Sequence, residues 1–221
     1  MKMAMGYSEN RTARPAAAWL CFWLGCLCCV GGLLASCSET EDEETNEFLN
    51  WQQRNEAFFA TLEDSLKLGS QWKKIKTYSK DASAEGKQTD YIYVRVLEEG
   101  TGTESPMFTD SVRTSYSLFL IPTISYPAGY PVQQTYYGQF DWQTTGALDF
   151  KISTLAVDGF MTAALYMHKG DRWRVFIPYQ LGYGTTTSSG IPAYSTLIYD
   201  LALIDFWSPG ETRPSWKARL R

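Results

Sequence analysis

The spacing of hydrophobic and polar positions changes character several times along the chain. From Ala16 to Ala35 the residues are almost all apolar, and residues 38–46 are polar. Between Glu47 and Leu68, Phe48, Trp51, Phe58, Phe59, Leu62 and Leu66 recur at mixed threes and fours with charges between them. That spacing predicts a helix, with Gly69 as its stop. Such a helix packs on the following domain, acts as a spacer or serves dimerisation; the pattern alone does not choose. Residues 70–90 hold few apolar side chains and predict a loop.

From Tyr91 the period becomes two, the signature of strands with distinct faces. Ile92, Val94 and Val96 alternate with Tyr93 and Arg95. Val112, Thr114, Tyr116, Leu118 and Leu120 alternate with Arg113, Ser115 and Ser117. Leu148, Phe150 and Ile152 alternate with Asp149 and Lys151. One helix interrupts this series, because Val157, Phe160, Met161, Ala164 and Leu165 fall on a single buried face. Ser153 or Thr154 is its expected cap and Gly170 its exit. Strands follow over Arg172–Ile177 and Thr196–Phe206. The order β-β-β-α-β-β, one helix against a mostly antiparallel sheet, is an α+β plan.

Composition narrows the function classes. The net charge of −4 has no basic surplus and no run of Lys and Arg, which argues against nucleic acid as a partner. Aromatics make up 15% of the chain, enough for an aromatic core or an aromatic-lined groove. The cysteines are Cys21, Cys26, Cys28, Cys29 and Cys37, so nothing after residue 37 can form a disulfide or a thiolate metal site. Scattered carboxylates supply no metal-ligand pattern, and no phosphate-binding loop is present, so neither a metal nor a cofactor is expected. The single histidine, His168, sits beside a Lys-Gly turn, and no G-x-S-x-G precedes a helix, which leaves no basis for a hydrolase triad.

The N-terminal segment has the layout of an export signal: Lys2, Arg11 and Arg14, then the apolar run. The run is also close to the ~20 residues of a membrane-spanning helix. Its end favours processing, since Leu34-Ala35-Ser36-Cys37 resembles the lipobox of bacterial lipoproteins. The resemblance implies cleavage before Cys37, lipid on its thiol, and a place in the bacterial cell envelope, at the outer membrane facing the periplasm or the cell surface. Removing residues 1–36 would leave 17 basic and 23 acidic residues, a net charge of −6. Glu39, Glu41, Asp42, Glu43 and Glu44 then form an acidic tether; such stretches also resemble surface-export signals. The expected organisation is a signal over 1–36, a tether over 37–46, a helical extension and linker over 47–90, a folded domain over 91–207 and a tail over 208–221.

The C-terminal half carries the most specific pattern. Ile177-Pro178-Tyr179-Gln180-Leu181-Gly182-Tyr183-Gly184 is followed by Gly190-Ile191-Pro192 and by Ser195-Thr196-Leu197-Ile198-Tyr199-Asp200-Leu201-Ala202-Leu203. This resembles the signature of the FKBP-type peptidyl-prolyl isomerases. Upstream, Val157-Asp158-Gly159-Phe160, Met167 with Gly170, Gln139-Phe140-Asp141, Val112 with Tyr116, and Leu97–Gly102 are similar to further family motifs, in the family's order. The resemblance implies an FKBP-like fold: a twisted antiparallel sheet wrapped around one short helix, here with an extra N-terminal helix. It implies a groove for proline-containing polypeptides lined by Tyr116, Phe140, Asp141, Val157, Phe160, Tyr183, Ile191 and Tyr199. In it Phe160 would be the floor and Tyr116, Phe140 and Tyr199 the walls. The Tyr183 hydroxyl and the N–H of Val157 or Ile191 would donate to substrate carbonyls, and Asp141 would set the local field. Asp200, on the strand face opposite Tyr199, reads as a surface or strand-end residue.

The chain departs from the family at several of these positions. The usual floor Trp is Phe160, and the usual Phe of the last strand is Tyr199. The 23 residues between Tyr116 and Phe140 form a longer connection than usual, rich in turn and aromatic residues. A groove that binds peptides without isomerising them would use the same residues.

Overall fold

In the computed structural model of the chain, residues 46–216 are described. Cys37, the segment before it and the acidic tether up to Thr45 lie outside these residues. Helix α1 spans Trp51–Ser65 and runs into a 3-10 turn at Leu66–Leu68. Strands β1 (Trp72–Lys76), β2 (Tyr91–Glu98), β3 (Ser111–Leu120), β4 (Tyr130–Gln134) and β5 (Leu148–Lys151) precede helix α2 (Asp158–Tyr166). Strands β6 (Arg172–Ile177) and β7 (Leu197–Trp207) complete one antiparallel sheet in the order β1-β2-β6-β7-β3-β4. β5 pairs with the first half of β3, beside β4 on its second half.

Alternation divides the sheet into two faces. Ile92, Val94, Val175, Ile177 and Leu201 are fully buried, and α2 packs against β2 and β6. Each such side chain contributes roughly 1.5–3 kcal/mol relative to exposure. Gly159 permits the close approach, because a Cβ there would overlap the Ile177 side chain. That contact sets the depth at which the neighbouring Phe160 lies.

The other face is covered as well, which explains why β3 is buried at nearly every position. Phe59 of α1 meets Tyr93 edge-on at 5.3 Å, and Phe58 lies 6.2 Å from Phe176. Trp51, Asn55, Phe59 and Leu62 are the buried residues of α1, so the helix is built into the domain. Further along this face, Phe140 and Trp142 lie against Arg172 and Glu98. The C-terminal stretch folds back too: Arg113 donates to the Pro214 carbonyl at 2.8 Å and the Trp216 indole to the Thr145 carbonyl at 3.2 Å.

Several expectations need correction. The loop expected over 70–90 contains β1, whose pairing with β2 starts the sheet at Trp72, upstream of the boundary expected at Tyr91. β4 lies in the long connection after Tyr116. Both are edge strands carrying lysines or a proline, Trp72-Lys73-Lys74-Ile75-Lys76 and Tyr130-Pro131-Val132-Gln133-Gln134, a composition that hides the alternating signal. Neither Ser153 nor Thr154 caps α2. Thr154 Oγ1 donates back to the Lys151 carbonyl at 2.8 Å, closing a separate 3-10 turn over Ile152–Thr154. Val157 is the N-cap, with no side-chain cap bond, and Asp158 places an acidic group in the first turn.

Candidate active site

At the start of α2 a groove of about 250 Å³ opens between the helix and the sheet. Each wall has a local cause. The alternation of β3 and β7 turns Tyr116 and Tyr199 toward α2, while the first turn of the helix presents Phe160. The rings of Phe160 and Tyr199 are 5.1 Å apart at 75°, those of Tyr116 and Tyr199 5.6 Å at 62°, and those of Tyr116 and Phe160 5.9 Å at 80°. Phe150 from β5 adds a fourth ring, 6.1 Å from Phe160. Edge-to-face packing of this kind fixes ring orientation and leaves an apolar concavity. Leu155, Ala156 and Val157 form the lip, and Gln133 and Tyr183 supply polar edges.

No carboxylate or basic side chain lines the groove. Its titratable groups are tyrosines, and burial raises Tyr116 and Tyr199 above the ordinary value of 10.0, with the neighbouring tyrosines adding to the effect. Both hydroxyls therefore stay protonated near neutrality. Neither they nor the Tyr183 hydroxyl find a hydrogen-bond partner among the described residues. The Val157 N–H is likewise unpaired among the described residues. Apolar walls thus meet a few unengaged donors, the usual make-up of a site for a largely apolar ligand with polar ends.

The structure brings together Tyr116, Val157, Phe160, Tyr183 and Tyr199 from the positions expected. It does not bring in three others. Phe140 lies on the opposite face, where the Arg172 guanidinium sits 4.5 Å from its ring centre and Trp142 packs edge-on at 4.9 Å. Asp141 closes a turn instead: its carboxylate accepts from the N–H groups of Gln143 at 2.8 Å and Thr144 at 3.1 Å. Ile191 is buried in the core, and its N–H donates to the Ser188 carbonyl at 2.8 Å, so it is not available to a substrate. Asp200 is not a surface residue. It is buried and receives two bonds from Arg172, at 2.8 and 2.9 Å.

Phe150, Leu155, Ala156 and Gln133 were not expected in the site. Phe150 was legible only as an apolar position of a strand. Its place in the groove follows from β5 pairing with β3 so that Phe150 stands opposite Val112. Among the described residues there is no cluster of three or more His, Cys, Asp or Glu side chains able to hold a metal, and no helix is long and apolar enough to cross a membrane.

This architecture, a twisted antiparallel sheet against one short helix with an aromatic groove at the helix start, is the FKBP-like fold. Residues 102–204 match the family described as FKBP-type peptidyl-prolyl cis-trans isomerase. A macrophage infectivity potentiator of Trypanosoma cruzi is 47% identical over 58 residues, covering 26% of this chain and 30% of that protein. The FKBP-type peptidyl-prolyl cis-trans isomerase FkpA of Escherichia coli K12 is 28% identical over 129 residues, 58% of this chain and 42% of that protein. The crystal structure of Escherichia coli FkpA superposes with a TM-score of 0.51 at 23% identity, covering 72% of this chain and 62% of that one. The chain spans less than half the length of the two sequence relatives it matches here.

Proposed function

We propose that this chain is a peptidyl-prolyl cis-trans isomerase that acts on X-Pro bonds of polypeptides in its groove. The observation that carries this reading is the cluster of Tyr116, Phe150, Phe160 and Tyr199 around a cavity with no charged lining. Rotation about the X-Pro amide breaks its resonance against a barrier of roughly 20 kcal/mol, and unaided it takes tens of seconds. No covalent step is needed. The twisted amide is less polar than the planar one, so an apolar groove favours it over the ground state. Phe160 holds the proline ring from below, and Tyr116 and Tyr199 flank it. The Tyr183 hydroxyl and the Val157 N–H donate to the carbonyls on either side of the rotating bond.

A second reading, a module that holds X-Pro peptides without rotating them, draws on the placement of Phe140 and Asp141 outside the groove. A protease-coupled assay over a panel of X-Pro peptides decides between the two. Acceleration over the uncatalysed rate supports the enzyme; binding without acceleration supports the module.

We propose further that the protein is exported and tethered by lipid on Cys37, so that its clients are proline-containing polypeptides of the cell envelope. The charged-then-apolar segment ending in Leu34-Ala35-Ser36-Cys37 supports this. Cys37→Ala should move the protein out of the membrane fraction; retention in that fraction would contradict lipid tethering.

A further inference from the structure

Helix α1 reaches the groove indirectly, through the segment that delivers Tyr183. The Trp51 indole N–H donates to Ser195 Oγ at 2.8 Å, and that hydroxyl donates on to the Pro192 carbonyl at 2.6 Å. One turn along the helix, Asn55 is fully buried. Its Oδ1 accepts the Thr196 N–H at 2.7 Å, and its Nδ2 donates to the Trp51 carbonyl at 2.8 Å. An amide side chain in such a place destabilises the fold unless its polar atoms are satisfied. Here both bonds are made, and one of them is spent on the backbone just before β7.

Pro192, Ser195 and Thr196 form the outgoing stem of the loop that follows Tyr183. That loop needs outside support. Ser189 and Tyr194 hold the left-handed backbone region at φ 50° and 62°, a conformation that persists only where surroundings impose it. One bond ties the two stems across the loop base, the Tyr194 N–H donating to the Gly184 carbonyl at 3.0 Å; within the incoming stem the Gly184 N–H donates to the Tyr179 carbonyl at 2.8 Å. A displacement of Ser195 or Thr196 is thereby passed to Gly184, the residue next to Tyr183.

We infer that Trp51 and Asn55 are positioning residues for Tyr183, acting through Ser195, Pro192 and Thr196. The N-terminal helix, on this view, is part of the isomerase unit rather than a spacer. The inference rests on the reading of the groove as an isomerase site. It follows from contacts on the sheet face away from the groove, and Trp51 and Asn55 do not line the cavity.

The test is a double-mutant cycle on the full chain. Trp51→Phe keeps an aromatic ring and deletes the N–H; Ser195→Ala deletes the relay hydroxyl and serves if the first variant folds poorly. Each is measured with Tyr183 intact and in a Tyr183→Phe background, with kcat, KM and Tm determined separately. Tyr183→Phe is expected to lower kcat. With Tyr183 intact, Trp51→Phe or Ser195→Ala is expected to lower kcat about fivefold with KM within about twofold, as small misplacements of a reacting geometry do. In the Tyr183→Phe background the same substitutions are expected to change kcat by less than about twofold, because coupled groups do not act additively. Losses that multiply in both backgrounds, unchanged kcat in a folded Trp51→Phe or Ser195→Ala variant, or unchanged kcat in Tyr183→Phe would each overturn the positioning role alone. A wild-type chain that binds peptide without accelerating isomerisation would overturn the isomerase reading and this inference with it.

Discussion

The Arg172 guanidinium carbon lies 4.5 Å from the centre of the Phe140 ring, on the face of the sheet turned away from α2. The same arginine holds Asp200 through two bonds and Glu98 through a third at 3.0 Å. Phe140 is thus the aromatic lid of a polar cluster and not a wall of the groove. Phe140→Ala is therefore expected to leave kcat/KM within about twofold while lowering stability by about 1 kcal/mol, the size of a cation–π contact at a partly exposed site. Urea unfolding and the isomerisation assay together check this. A tenfold loss of activity without loss of stability would return Phe140 to the site.

Tyr199 gives the opposite case, a groove residue whose hydroxyl no described protein group satisfies. Burial raises its ionisation well above the ordinary 10.0. The residue lines the groove and no bond ties its hydroxyl to the described residues, so deleting that hydroxyl breaks none. Tyr199→Phe should accordingly leave Tm unchanged or raise it, with kcat/KM within about twofold. A clear fall in Tm would reveal a partner for the hydroxyl.

Acid stability should track carboxylates held below their ordinary value of 4.5. Glu63 is lowered first by the Tyr93 hydroxyl and then by Lys74, and Glu98 first by the Trp142 indole with Arg172 adding to it, burial opposing both. A depressed folded-state pKa adds stability that is present above the unfolded value of 4.5 and is lost as pH falls through the folded value. Glu63→Gln should therefore be less stable than wild type near pH 7, with the gap closing as pH falls below 4.5. Tyr93, Tyr116 and Tyr199 act with the opposite sign. Raised by burial, they contribute stability below 10.0 that is lost as pH rises through their folded values. Urea midpoints measured across pH check both limbs; a gap for Glu63→Gln that does not change with pH would contradict the acid one.

Much of the fold was legible because its central elements obey one period. Ile92-Tyr93-Val94 and the apolar alternation of β7 mark strands that lie inside the sheet, and the Val157, Phe160, Ala164 stripe marks a helix that buries one face. The edges were not legible, since Lys73, Lys74 and Lys76 on β1 and Pro131 on β4 answer to solvent and to edge protection instead of a core. The site divides in the same way. Tyr116, Phe160 and Tyr199 sit on regular elements whose facing follows from alternation. Phe140 and Asp141 follow a long connection, and sequence order does not say on which face such a connection returns. Asp200 was misjudged because a carboxylate on an outward strand face reads as exposed until Arg172 is known to stand beside it.

An aromatic groove that rotates X-Pro bonds should speed the exchange of cis and trans forms of a peptide it binds. Exchange NMR on a proline-containing peptide, with a small amount of the full chain added, measures that rotation directly. Cis–trans exchange cross-peaks are expected in the presence of the wild-type chain, with a rate reduced about tenfold or more by Phe160→Leu, which keeps an apolar side chain and removes the ring, in a variant whose folding is checked by Tm. Peptide resonances that shift on binding while cis and trans forms fail to exchange faster than in buffer would contradict it.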